Sequence, residues 1–131
     1  MNIKKNLSQE INFVYEESFL DSDELHIINK KMTELILNMR RLNYKIAKHE
    51  RNLSEATVRY KRKYRESFFT AEGKNDSHKR MIAEIECEDL EAIMIYEEQM
   101  IKELIRMSQA TRTELETCKS LGANIRQELN L

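Results

Sequence analysis

From Leu25 onward the apolar residues of this chain recur at alternating steps of three and four: Leu25, Ile28, Met32, Leu35, Met39, Leu42, Ile46, His49, Leu53, Ala56 and Tyr60. A repeat of seven held that long keeps one stripe against one partner, because 3.5 residues per turn removes the drift of a straight helix. The pattern predicts a long helix over residues 22–71, and Glu24 stands three residues after Asp21, the spacing of a capping box at its start. Past Tyr60 the rhythm slips to Tyr64, Phe68 and Ala71, which alters the supercoil locally. A second stripe follows at Ala83, Cys87, Leu90, Met94, Glu97, Ile101, Leu104, Ser108, Thr111, Leu115, Cys118, Gly122, Ile125 and Leu129, and predicts a second long helix over 78–129. Gly122 is its weak point, since glycine inside a helix costs about 1 kcal/mol relative to alanine, and fraying of the last turn is expected there.

Between the stripes, residues 72–77 read as a turn. Gly73 can take the left-handed conformation that ends a helix, and Asn75, Asp76 and Ser77 are each suited to cap the next one. Two helices of about 50 residues rise about 75 Å each at 1.5 Å per residue, and matched lengths around one turn are what a hairpin requires. Ahead of them, Leu7, Ile11, Val14 and Phe19 predict a short amphipathic helix over 6–19 that needs a surface to lie on. The expected architecture is therefore all-α: one domain, with two long helices in an antiparallel coiled-coil hairpin and a short N-terminal helix.

Composition agrees with that reading. The 131 residues include no proline and only two glycines, so the usual punctuation of loops is missing. A two-helix seam buries less surface per residue than a rounded core, and self-association is the expected source of further stability.

Charge then fixes the pairing. Residues 40–65 hold ten basic side chains against two acidic ones, and residues 84–103 hold eight acidic against one basic. Reversal of the chain at 74–75 lays the first block beside the second, whereas parallel pairing does not. Flanking charges select orientation in coiled coils even where each exposed pair contributes only about 0.2–1 kcal/mol. The run Arg59-Tyr-Lys-Arg-Lys-Tyr-Arg65 also has the interleaving of a nucleic-acid-binding strip, with Arg59, Lys61, Arg62 and Arg65 as the candidate contacts. The plainer reading, preferred here, is a solvated helix face neutralised by the acidic block opposite. The formal net charge of −1 gives no whole-molecule preference for an anionic partner.

The middle of the second helix carries more apolar surface than one partner can cover. Ile93, Tyr96, Met100, Ile105 and Met107 lie among eleven apolar residues that surround it on nearly every side. Self-association as a dimer is the first reading, cover by the N-terminal helix the second and a foreign protein the third. On the first helix Ile36, Leu37, Tyr44 and Val58 fall outside the seam, and Ile36 and Leu37 offer a docking place for the N-terminal helix.

Catalytic chemistry finds no footing. His49 occupies a seam position near Glu97 in the antiparallel register, and a histidine satisfied by a carboxylate that sets register is the reading there. Cys87 and Cys118 belong to no CxxC or Cys/His cluster, so neither a disulfide framework nor a zinc site is implied. No HExxH motif and no phosphate-cradling glycine loop occurs, and no cofactor or metal is expected. The N-terminus is broken by polar residues, unlike a secretory signal, and the longest apolar run, Ala92 to Tyr96, falls far short of a membrane span. A cytoplasmic protein that is not an enzyme is expected.

Two short stretches, Phe69-Thr-Ala-Glu-Gly73 before the turn and Lys119-Ser-Leu-Gly-Ala-Asn-Ile-Arg126 near the end, carry a resemblance. Over residues 55–128 the chain resembles small helical proteins of bacteriophages and prophages. The resemblance implies a gene of a phage replication, recombination or host-takeover module, at work in the cytoplasm of a bacterial host. It carries no catalytic residue across. The function read at this level is a protein-interaction module that modulates or inhibits a protein of DNA metabolism or defence. A nucleic-acid-binding accessory protein using residues 59–65 is the alternative, and a structural assembly element a further one.

Overall fold

The structure is a computed structural model and describes residues 22–73 and 75–129. Among these the chain is all-helical, with three helices: α1 (Ser22–Thr70), α2 (Asp76–Glu86) and α3 (Glu88–Glu128). The short helix expected over 6–19 and the cap at Asp21 lie outside the described residues; Ile36 and Leu37, its expected docking place, are described and exposed. Asp23 and Glu24 put negative charge in the first turn of α1, where the helix dipole favours it.

The link from α1 to α2 uses the chemistry legible in its residues. Gly73 has a positive φ of 74°, a conformation that costs a residue with a Cβ about 1–2 kcal/mol. Asn75 caps α2, its side-chain oxygen accepting a 2.9 Å hydrogen bond from the His78 amide. Asp76 follows in the first turn, so α2 starts two residues earlier than the sequence expectation.

The second stripe does not run through a single regular helix. α2 and α3 meet at Cys87, whose backbone lies at φ −98°, ψ 2°. Hydrogen bonding nevertheless crosses the junction, from the Cys87 amide to Ala83 at 3.1 Å and from the Glu91 amide to Cys87 at 3.0 Å. Cys87 is fully buried, and its Sγ stands 4.0 Å from the Tyr60 carbonyl oxygen. The irregularity thus falls opposite the residue after which the α1 spacing slips. Beyond it the α1 seam passes to Ser67, which is buried and donates a hydrogen bond from Oγ to the Glu86 carboxylate.

Two compact units divide the chain. One comprises the described residues up to Asn43 with those from Arg106 onward, and the other is Tyr44–Ile105. In the first, Leu25, Ile28 and Leu35 of α1 form one apolar cluster with Leu115, Cys118 and Ile125 of α3, flanked by Met32, Met39, Leu121 and Leu129. Asn38 donates from Nδ2 to Thr111 Oγ1 at 3.4 Å beside it. Gly122 is buried here without ending the helix: α3 continues to Glu128, contrary to the expected fraying. Its missing Cβ would stand 3.7 Å from Ile28 Cγ2, an ordinary contact. In the second unit Leu42's successors along the seam, Ile46, His49, Leu53, Ala56, Tyr60 and Tyr64, are all buried or half-buried, as are Ala83, Cys87, Leu90, Met94, Glu97, Ile101 and Leu104.

Candidate nucleic-acid interface

Basic residues reach the surface of α1 because the seam leaves them nowhere else to go. Arg51 stands two residues from the seam positions His49 and Leu53, and Arg62 two residues from Tyr60 and Tyr64, which turns each about half a revolution away from the buried stripe. All ten basic side chains between Arg40 and Arg65 are exposed. The neutralisation expected from the acidic block does not take the form of ion pairs. Among the described residues none of the ten has a carboxylate within 4.0 Å. Seam flanks are the places where helices can exchange charge, and most of these cations project beyond them.

The strip singled out in the sequence divides into two sides. Arg59 and Arg62, three residues apart, border a shallow depression of about 390 Å³ with Ser54, Glu55 and Val58. Lys61 and Arg65, four residues apart, belong to a groove of about 420 Å³ between the end of α1 and the start of α2. Its walls carry four aromatic rings, Tyr60, Tyr64, Phe68 and Phe69, and a third cation, Arg80 of α2. No acidic residue lines it. The rings are arranged in two pairs: Tyr60 and Tyr64 stack with centroids 6.0 Å apart at 29°, and Phe68 and Phe69 meet edge to face at 5.7 Å and 88°. Lys79 Nζ sits 5.6 Å from the Phe68 centroid, a cation–π contact. Phe69 remains 68% exposed although the groove is beside it. Burial, and after it the nearby Glu91 carboxylate, raise the Tyr60 phenol above its usual range, so that ring stays neutral.

Arg80, Phe68 and Phe69 were absent from the sequence-level candidates. Arg80 is fifteen residues beyond the strip, in α2, and only the turn between α1 and α2 brings it to Lys61 and Arg65. The aromatic content of Phe68-Phe69 was the available signal, and the seam reading absorbed Phe68 as core.

The polar residues assigned to register are in contact. His49 Nδ1 lies 2.5 Å from Glu97 Oε2, and Asn52 Nδ2 donates to Glu97 Oε1 at 3.3 Å. Glu97 is 6% exposed, so this carboxylate is held inside the seam by two partners on α1. The apolar surplus of α3 is at the surface: Ile93, Tyr96, Ile105 and Met107 are 40–58% exposed, and Met100 is half-buried. These residues do not share one face. Ile93, Tyr96 and Met100 follow at helical spacing, while Ile105 lies about half a turn around the helix from Tyr96.

Cys87 and Cys118 are buried free thiols, and burial raises the pKa of both. Among the described residues no group of three potential ligands could hold a metal ion, and no helix is long and apolar enough to cross a membrane. Comparison with protein-family models, with curated proteins and with solved structures finds no match to this chain.

Proposed function

We propose that this chain is a non-catalytic binding module in which helix segments pair antiparallel and present the basic side of α1 to nucleic acid. Antiparallel pairing is supported by partners whose numbers change in opposite senses. In one unit Ile28 approaches Gly122 and Asn38 meets Thr111; in the other His49 meets Glu97 and Ser67 meets Glu86.

The observation that carries the functional reading is the set of basic residues without ion pairs. Eight of the ten fall in the Tyr44–Ile105 unit, between Lys45 and Arg65. A cation held next to a carboxylate has already lost much of its attraction for phosphate, whereas a hydrated, unpaired one releases condensed counterions when it binds. That entropy source is local, so a formal net charge of −1 does not oppose it. The resemblance of residues 55–128 to phage proteins that bind proteins or DNA fits the same class of function.

Salt dependence is the test. Affinity for a DNA duplex, measured by fluorescence anisotropy from about 50 to 200 mM salt, falls linearly in log–log form with a slope of about −0.9 per phosphate contact. Replacing Lys61, Arg62 and Arg65 together by glutamine lowers the steepness of that slope by about 2–3 while helix content stays unchanged. A protein without salt-dependent binding to any nucleic acid contradicts the proposal.

A second reading, a protein-interaction or self-associating module, draws on the exposed Ile93, Tyr96 and Met107. Sedimentation over a range of protein concentrations tests it, and a monomer throughout removes the dimer.

A further inference from the structure

We propose that the groove where α1 ends and α2 begins is a base-stacking subsite for single-stranded nucleic acid, its rings taking bases and Lys61, Arg65 and Arg80 taking phosphates. This rests on the nucleic-acid reading above and gives it a strand type and a site.

Unpaired cations alone would serve any polyanion, so the specific content lies in the rings. The whole chain has nine aromatic residues, five tyrosines and four phenylalanines, and four of the nine line this one groove. Seam packing accounts for only part of their surface. Tyr60 and Tyr64 are half-buried rather than enclosed, Phe68 likewise, and Phe69 keeps 68% of its surface in water at the rim. Exposed aromatic faces bordered by cations, with no carboxylate among the lining residues, match the demands of a single strand, whose bases offer open faces and whose phosphates follow at short intervals. Duplex DNA cannot use the rings in this way, because its base faces are occupied by their neighbours. The groove volume of about 420 Å³ lies within the range of small-ligand sites, which suits a short stretch of strand better than a helical groove surface.

The cations come from both helices that line the groove. Lys61 and Arg65 come from α1 and Arg80 from α2, so a strand crossing the groove meets positive charge from each helix. Lys79 is engaged with the Phe68 ring and holds that wall in place.

The experiment compares two strands of equal charge, with a duplex and a mononucleotide as controls. An oligothymidylate, the same length of abasic strand, the corresponding duplex and thymidine monophosphate are titrated into the full chain, with tyrosine fluorescence and anisotropy as readouts. Tighter binding of the oligothymidylate than of the abasic strand is expected, by about 5- to 160-fold for each base that stacks, together with quenching of tyrosine emission. Phe69→Ser and Tyr64→Ser are expected to erase most of that difference while leaving binding to the abasic strand unchanged. Phe69 is largely exposed, so its replacement removes little packing beyond its edge-to-face contact with Phe68, and circular dichroism checks both variants. Equal affinity for the two strands, or a mononucleotide that binds as tightly as the oligomer, overturns the base-stacking strand site while the polyanion reading stands. Absence of salt-dependent binding to strand and duplex alike overturns both.

Discussion

The contact of His49 and Asn52 with Glu97 makes a sharp energetic statement. A buried carboxylate is tolerated only with partners, and Glu97, 6% exposed, has two: His49 Nδ1 at 2.5 Å and Asn52 Nδ2 at 3.3 Å. Glu97→Leu removes both acceptors and leaves two polar groups inside a seam that water reaches poorly, the His49 side chain being 17% exposed. An orphaned buried hydrogen-bonding group costs about 1–3 kcal/mol, so two with partial solvent access cost about 2–4 kcal/mol. The His49→Leu, Glu97→Leu double variant behaves differently. It replaces the pair with apolar groups at seam positions, which by itself is often neutral or stabilising, and leaves only the half-buried Asn52 amide without its acceptor, so its stability is expected within about 2 kcal/mol of the parent. The cost of the pair is register, since a polar contact inside a coiled coil penalises every slipped alignment. Urea denaturation followed by circular dichroism at one fixed protein concentration measures all four corners of the cycle. The coupling between the sites is expected to exceed about 1 kcal/mol. If the two single substitutions add to the double within about 0.5 kcal/mol, the pair does not act as a unit and the reasoning fails.

The two glycines are expected to respond with opposite sign. Gly122→Ala raises stability by about 1 kcal/mol in the same denaturation assay, because the helix gains propensity and the new Cβ meets Ile28 Cγ2 and Arg126 at an ordinary 3.7 Å. Gly73→Ala lowers it by about 1–2 kcal/mol, since nothing crowds the new methyl and only the φ of 74° opposes it. The buried thiols supply a pH test: both pKa values are raised in the folded chain, so their contribution to stability is complete below the ordinary thiol value of 9.0 and declines as pH climbs through the higher folded values. A Cys87→Ala, Cys118→Ala variant is expected to lose less stability between pH 8 and 11 than the parent, and native thiols to react with a soluble disulfide reagent only after unfolding.

How much of this was legible in the residues varies with the range of the interaction responsible. The two stripes were legible because burial in a long helix follows a local period: every stripe position from Leu25 to Tyr60 and from Ala83 to Leu129 is buried or half-buried. Turn chemistry at Gly73 and Asn75 was legible for the same reason, being decided within a few residues. The irregularity at Cys87 was not, since it depends on what α1 presents opposite, near the Tyr60 carbonyl. Block charges suggested mutual neutralisation, but counting signs says nothing about direction, and residues such as Arg51 and Arg62 point away from the partner. Lys61, Arg65 and Arg80 meet in one groove only through the turn between α1 and α2, so a linear reading found two of the three cations and half of the rings.

The pairing of segments underlies every one of these expectations, and an intramolecular distance tests it most directly. Probes are placed on the exposed positions Ile36 and Thr113 of one chain, diluted with unlabelled protein so that only distances within a molecule are read. Antiparallel pairing predicts a short separation, the roughly 8–10 Å between packed helix axes plus the reach of the two probes. A narrow distribution at several times that separation would contradict it.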